Sequence, residues 1–99
     1  MLNISNAKNG NDLTFTLVGR LDTITAPAFE KEIRQNLKGI ENLVIDLKDL
    51  EYISSAGLRV LLSAQKVMNR QGDMVVRNVN DVVMDVFEVT GFIDILNIE

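Results

Sequence analysis

Asp46-Leu47-Lys48-Asp49-Leu50-Glu51-Tyr52-Ile53-Ser54-Ser55-Ala56-Gly57-Leu58-Arg59-Val60-Leu61-Leu62 is the stretch that decides how the chain folds. It starts as the tail of an apolar run, Leu43-Val44-Ile45, too short and too β-branched for a helix of its own. It ends in helical periodicity, with apolar side chains at 58, 61, 62 and 68. Between the two lie adjacent hydroxyls, Ser54 and Ser55, then two residues nearly free of side chain, Ala56 and Gly57. A serine just before an apolar-periodic segment is a strong helix start, because its oxygen accepts from a backbone N–H that otherwise has no partner. The reading is a buried strand, a short loop and a helix whose first turn lacks bulk. Such a helix mouth carries free N–H groups and partial positive charge, and so favours a phosphate.

Upstream, residues 2–7 and 12–18 alternate, with Leu2 and Ile4, then Leu13, Phe15 and Leu17, facing one way. Lys8-Asn9-Gly10-Asn11-Asp12 between them is turn chemistry, which predicts an antiparallel hairpin. Gly19-Arg20-Leu21-Asp22-Thr23-Ile24 breaks the second strand and leads to a helix over 26–38. Thr25 is its expected N-cap, Pro27 fits the first turn, and Gly39 closes it. Phe29, Ile33 and Leu37 form its buried stripe. Residues 42–47 read as a strand buried on both faces, since the apolar run is continuous. The second helix is expected over 55–70, stopping at Gln71-Gly72. Met74-Val75-Val76 is a further strand, with Val79 closing its exit. Asn80 or Asp81 caps a third helix over 82–89 whose inner face is Val82, Val83, Val86 and Phe87. Phe92, Ile93, Ile95, Leu96 and Ile98 read as a last strand. The order β-β-α-β-α-β-α-β predicts an α/β fold with a mixed, mostly parallel sheet and packed helices.

Ninety-nine residues suit one domain over 1–99, and 46% hydrophobic with 24% charged residues is ordinary globular composition. No apolar run is long enough for a membrane span and no basic leader precedes one. Without cysteine or histidine there is no disulfide framework, and the usual zinc ligands and general base are missing, so no metal, no cofactor and no enzyme activity are expected. The net charge of −4 argues against nucleic acid as a partner. A cytoplasmic, membrane-free setting is expected. Met68, Met74 and Met84 read as core or near-core packing.

Gly19-x-Leu21-Asp22-x-x-Thr25-Ala26, then Val44-Ile45-Asp46-Leu47, then Tyr52-Ile53-Ser54-Ser55-Ala56-Gly57-Leu58 together resemble the STAS domain as used in bacterial anti-sigma factor antagonists. The resemblance covers nearly the whole chain in the same element order. It implies a partner-switching module that binds a serine kinase/anti-sigma factor of the histidine-kinase-like ATPase type. Phosphorylation of a serine at the helix start would release that partner, and a PP2C-type phosphatase would restore binding. The family's serine, two residues before the glycine, falls on Ser55. The preceding residue is commonly Asp, and here it is Ser54, the second choice as acceptor. Asp22 matches the acidic residue of the G-x-L-D motif, and Asp46 falls where the family often has Asp or Asn at the end of the central strand. Many members continue into a further C-terminal helix, whereas here the last predicted strand runs to Glu99.

The partner-binding surface is expected to comprise Asp22, Thr23, Ser54, Ser55, Gly57, Leu58 and Arg59. Each has a plainer reading. Ser55 could serve only as a helix cap, Asp22 as a turn-former, Asp46 as an acceptor for backbone N–H groups, and Arg59 as a solvated charge. Ser54 as cap and Ser55 as acceptor is the natural division. A phosphoserine carries about −1.5 to −2 charges. With Asp22 or Asp46 about 6 Å away, repulsion of order 2–3 kcal/mol per unit charge would roughly offset the helix-terminus attraction. Blocked docking is therefore the expected mechanism, ahead of conformational change. A constitutive STAS scaffolding subunit of a signalling or lipid-transport complex is the alternative. Nucleotide binding ranks last, for want of a glycine-rich phosphate loop with a lysine.

Overall fold

The computed structural model describes residues 1–99. The hairpin forms as its alternation predicts. β1 (Leu2–Asn9) pairs antiparallel with β2 (Asp12–Leu21) around the two-residue turn Gly10–Asn11, with Gly10 at positive φ. After α1 (Ala26–Asn36), β3 (Asn42–Ile53) adds parallel to β2. After α2 (Ser55–Gln71), β4 (Asp73–Arg77) adds parallel to β3. The sheet is thus four-stranded in the order β1-β2-β3-β4. Both crossovers step in the same direction, which puts α1 and α2 on one face. α3 (Asp81–Thr90) packs against β3, and its Val83 and Phe87 enter the same core.

The sheet has one covered face. Leu13, Phe15, Leu17, Leu43, Ile45, Leu47, Met74 and Val76 are all within 1% of fully buried, while Thr14, Thr16, Val44, Asp46 and Val75 on the opposite face stay half-buried. The expectation of a strand buried on both faces is therefore corrected. Val44 lies between Thr14 and Val75 in register on a face with no helix over it. β3 also runs six residues past the predicted end at Leu47. Against β2 it takes two extra residues, one between Asp46 and Asp49 and one between Leu50 and Tyr52. These bulges turn a two-residue alternation into the three-residue spacing Leu47, Leu50, Ile53, all buried, so polar Lys48, Asp49 and Glu51 sit in a strand that reads as a loop. Likewise Gly19 does not end β2. It holds φ +110°, and a Cβ there would lie 2.1 Å from the Met1 carbonyl oxygen.

α1 buries Phe29, Ile33 and, at its C-cap, Leu37, and Phe29 meets Phe15 edge-on at 5.5 Å. The helix stops at Asn36, two residues short of the predicted end. Its last turn is tied to α2 by Gln71, whose amide donates to the carbonyls of Leu37 and Ile40, both at 2.7 Å. In α3 the cap is Asn80, whose side chain accepts from Val83 N–H at 3.0 Å. Val82, placed on the inner face from sequence, is 58% exposed, because the stripe that reaches the core is only Val83 and Phe87 with half-buried Val86. Met68 and Met74 are core, and Met84 packs against it.

The predicted last strand is a second correction. After Gly91, in the left-handed region at φ 81°, Phe92–Asp94 form a single 3₁₀ turn. The apolar residues there follow a three-to-four spacing: Phe92 packs on the core and Leu96 is 5% exposed, while Ile93 and Ile95 face solvent. Only Ile98 reaches the sheet edge, as an isolated parallel bridge to Val76, where the Val76 N–H donates to the Asn97 carbonyl and the Glu99 N–H to the Val76 carbonyl, both at 2.9 Å.

Candidate functional site

Two loops at the same end of the sheet build the site. Leu21 and Ile53 are register partners at the ends of β2 and β3, and the Ser54 N–H donates to the Leu21 carbonyl at 2.9 Å. The β2–α1 and β3–α2 loops therefore leave the sheet side by side.

In the first loop, Asp22 and Thr25 cap each other. Asp22 Oδ1 accepts from the N–H groups of Ile24 and Thr25, both at 3.0 Å, and from the Thr25 hydroxyl at 3.2 Å. Thr25 Oγ1 in turn accepts from Asp22 N–H at 2.9 Å and lies 2.8 Å from the Arg20 carbonyl. This is the reciprocal arrangement of a capping box. The N-cap by position is Thr25, as predicted, but no side chain caps the helix itself; Asp22 Oδ1 holds the two N–H groups just before it. The Thr25 N–H bond holds the Asp22 carboxyl below its ordinary range against partial burial, helped by Ile24 N–H and the Thr25 hydroxyl. Asp22 is the turn-former its plainer reading describes, and it stands next to the serine loop. Thr23 and Ile24 at the tip are exposed, Ile24 to 87%.

In the second loop, the helix cap falls on Ser54, as expected. Ser54 is the N-cap, in extended conformation, its Oγ accepting from the Gly57 N–H at a long 3.4 Å. Ser55 is the first residue of α2 and is exposed, with its hydroxyl free of any intramolecular hydrogen bond. Arg59, one turn along, is also exposed and makes no ion pair. The two ion pairs of the fold are Glu30–Arg34 and Arg77–Glu99.

Two expected site residues, Gly57 and Leu58, are elsewhere, and so is Asp46. Gly57 and Leu58 face inward, Leu58 being 5% exposed. A Cβ on Gly57 would lie 2.7 Å from Leu21 Cγ and 2.9 Å from Ile53 Cγ1, so this glycine allows α2 to seat closely on the ends of β2 and β3 and does not clear an approach from solvent. Asp46 lies in the middle of β3 on the helix-free face. Its Oδ1 accepts from the Lys48 N–H at 3.0 Å at the bulge and from the Asn78 amide at 3.2 Å. That is the backbone-satisfying role expected of it, in a strand instead of a loop. Seven residues of strand lie between it and Ser54, eight steps or roughly 20–26 Å, too far to repel a charge on Ser55. Of the two carboxylates considered, only Asp22 stands near.

A cavity of about 200 Å3 opens between the N-termini of α1 and α2, lined by Thr23, Ala26, Pro27, Glu30, Ala56, Arg59 and Val60. Sequence reading missed Ala26, Pro27 and Ala56 as part of it. The signal was present as small or stubby side chains at the start of both helices. No three His, Cys, Asp or Glu side chains converge into a metal-holding group, and no helix is long and apolar enough to cross a membrane.

A mixed sheet backed by helices on one face, with a free serine hydroxyl at the first residue of the second helix, defines a STAS-type α/β domain. The family model for the STAS domain matches residues 3–99, and the chain belongs to that family. It is 29% identical over 98 residues to the anti-sigma-B factor antagonist of Bacillus subtilis (strain 168), covering 98% of this chain and 90% of that one. Among solved structures, the crystal structure of an anti-sigma factor antagonist from Mycobacterium paratuberculosis superposes with a TM-score of 0.89 at 21% identity, over 99% of this chain and 85% of the other. The phosphorylated form of the Bacillus cell fate determinant SpoIIAA superposes with a TM-score of 0.77 at 14% identity, over 98% and 91%. These structural likenesses concern the fold.

Proposed function

We propose that the chain is an anti-sigma factor antagonist in a partner-switching circuit, with Ser55 as its phosphorylated residue. The unphosphorylated form binds a serine kinase/anti-sigma factor of the histidine-kinase-like ATPase type. Phosphorylation on Ser55 releases it, and a PP2C-type phosphatase resets the module. The observation that carries this reading is the free, exposed hydroxyl of Ser55 beside Ser54, which caps the helix. A kinase can take the Ser55 hydroxyl without dismantling the helix start, because the cap is a different side chain. Membership of the STAS family, and relatives named as anti-sigma factor antagonists, support the antagonist role from which the circuit is inferred.

The docking surface on this reading is the rim of both loops: exposed Thr23, Ile24, Ser55 and Arg59 with half-buried Asp22 and Ser54. Exposed Ile24 is the apolar anchor, and the charged neighbours set orientation. A dianion at Ser55 gains about 0.3–1 kcal/mol from the helix terminus, and Asp22 beside it opposes that gain, so the fold itself changes little. Closing a protein interface over the same dianion costs several kcal/mol in desolvation and like-charge contact, and about 4 kcal/mol is a thousandfold in affinity. Release follows from blocked docking. The test is a pair of variants against the host's cognate kinase. Ser55→Ala should stay bound in the presence of ATP and take up no phosphate, and Ser55→Asp should bind at least tenfold more weakly than wild type. A Ser55→Asp chain that binds as tightly as wild type, or a Ser55→Ala chain that still accepts phosphate on a neighbouring serine, contradicts the assignment.

A further inference from the structure

Ser55, Arg59, Ser63, Lys66 and Arg70 recur at intervals of four, four, three and four and are all exposed. They form one line down the outer face of α2. The helix contains no Asp or Glu, in a chain where acidic residues outnumber basic ones by 14 to 10. Beside this line runs the seam between α1 and α2, a groove of about 320 Å3 whose floor includes Ile33, Leu37, Val60, Ala64 and Val67. At one end it shares Glu30 and Val60 with the cavity between the two helix N-termini, which Arg59 also lines, and at the other it shares Val67 with a recess formed by Lys66, Arg70 and Gln71. The only carboxylate along this trough, Glu30, is held by Arg34 at 3.2 Å. From Ala56 to Arg70 the trough spans about 21 Å, four helical turns.

We propose that the α1–α2 trough docks an amphipathic helix whose apolar edge enters the groove and whose flanking residues are Asp and Glu. An apolar floor with a cationic rim is complementary to such a helix. It suits a nucleic acid poorly, since three cations on a protein of net charge −4 make few phosphate contacts against an overall repulsion. Where the proposed Ser55 switch operates, the trough also sharpens how it acts. The phosphate arrives one turn from Arg59, at the head of the cationic line, and occupies the cation that the partner's carboxylates would use. Release is then substitution of one anion for another. That second step rests on the phosphorylation reading, and the trough itself does not.

The probe is a fluorescein-labelled synthetic helix of about 18 residues, roughly 27 Å long, with Leu at i, i+3, i+4 and i+7 positions and Glu on both flanks. Its twin carries Lys on the flanks. Anisotropy titrations should show the Glu peptide binding at least tenfold more tightly than the Lys peptide, with the difference shrinking as salt rises. Amide shifts in a ¹⁵N-labelled chain should map to the seam. The exposed-site variants Val67→Asp and Lys66→Glu/Arg70→Glu should each weaken binding at least tenfold with unchanged melting temperatures, and Ser55→Asp should weaken it several-fold. Equal binding of both peptides, shifts mapping off the seam, or tighter capture of an oligo-dT strand or of vesicles of equimolar phosphatidylserine and phosphatidylcholine would overturn the proposal. If the Glu peptide fills the seam while the kinase leaves Ser55 unmodified, the trough stands and the switch falls. The reverse pair of results removes the trough alone.

Discussion

Gly57→Ala adds one methyl group at the point where α2 meets the ends of β2 and β3. On an exposed helix the change would stabilise, since alanine is favoured over glycine by about 0.8–1 kcal/mol in a helix interior. Here the new carbon would lie 2.7 Å from Leu21 Cγ, 2.9 Å from Ile53 Cγ1 and 3.0 Å from Leu21 Cδ2. Leu21 is 0% and Ile53 2% exposed, so neither has free space to retreat into. Overpacking of this kind costs roughly 1–3 kcal/mol, which exceeds the propensity gain, and a net loss of up to about 2 kcal/mol is expected. At about 4–8 °C per kcal/mol for a domain of this size, the melting temperature should fall by up to roughly 15 °C. Urea unfolding followed by circular dichroism measures it. Combining the change with Leu21→Ala supplies the control: the alanine at 57 partly fills the space that Leu21→Ala empties, so the double variant should lose less than the sum of the two. A Gly57→Ala chain as stable as wild type, or strict additivity with Leu21→Ala, would refute the close-packing argument.

Ser54→Ala should destabilise by about 0.5–1 kcal/mol, the low end for an N-cap because its hydrogen bond to Gly57 N–H is long at 3.4 Å. It should leave phosphate uptake at Ser55 intact, which peptide mapping by mass spectrometry would show. The lowered Asp22 pKa means that the ionised carboxylate contributes stability fully above its unfolded value near ~3.9, and that this contribution is lost as pH falls through the lower folded value. The urea midpoints of wild type and Asp22→Asn should accordingly differ at neutral pH and converge in strong acid. Leu96→Ala should cost about 2–4 kcal/mol, as expected for a core leucine, whereas Ile93→Ala should stay within about 0.5 kcal/mol. Comparable losses at both positions would count against the observed turn, in which Leu96 is buried and Ile93 faces solvent.

Much of the fold was legible because the relevant signals were local. Alternation through Leu13, Phe15 and Leu17, the stripe Phe29–Ile33–Leu37, and Ser54 ahead of a periodic run each name an element without knowledge of its neighbours. What failed depended on tertiary partners. The two bulges in β3 replace period two by period three, so Lys48-Asp49 disguises a strand. Val44 looks buried until the sheet is seen to have helices on one side only. Phe92–Ile98 is apolar enough for a strand, yet Gly91 in the left-handed region sets a turn that sends Phe92 and Leu96 inward and leaves Ile93 and Ile95 in solvent. At the site, the pairing of Ser54 as cap with Ser55 as a free hydroxyl was readable from their order. The roles of Gly57 and Leu58 were not, since small size next to a helix start fits both an open approach and a tight seat. Only the distances to Leu21 and Ile53 separate the two. The cationic line on α2 was present in the spacing of Arg59, Lys66 and Arg70, but its meaning depends on the apolar seam that α1 lays beside it.

The most direct measurement is isothermal titration of the cognate serine kinase with this chain, before and after stoichiometric phosphorylation confirmed on Ser55. The account predicts tight binding by the unmodified chain and a loss of about a thousandfold in affinity once the phosphate is in place, some 4 kcal/mol. An unchanged dissociation constant for the phosphorylated chain would contradict it.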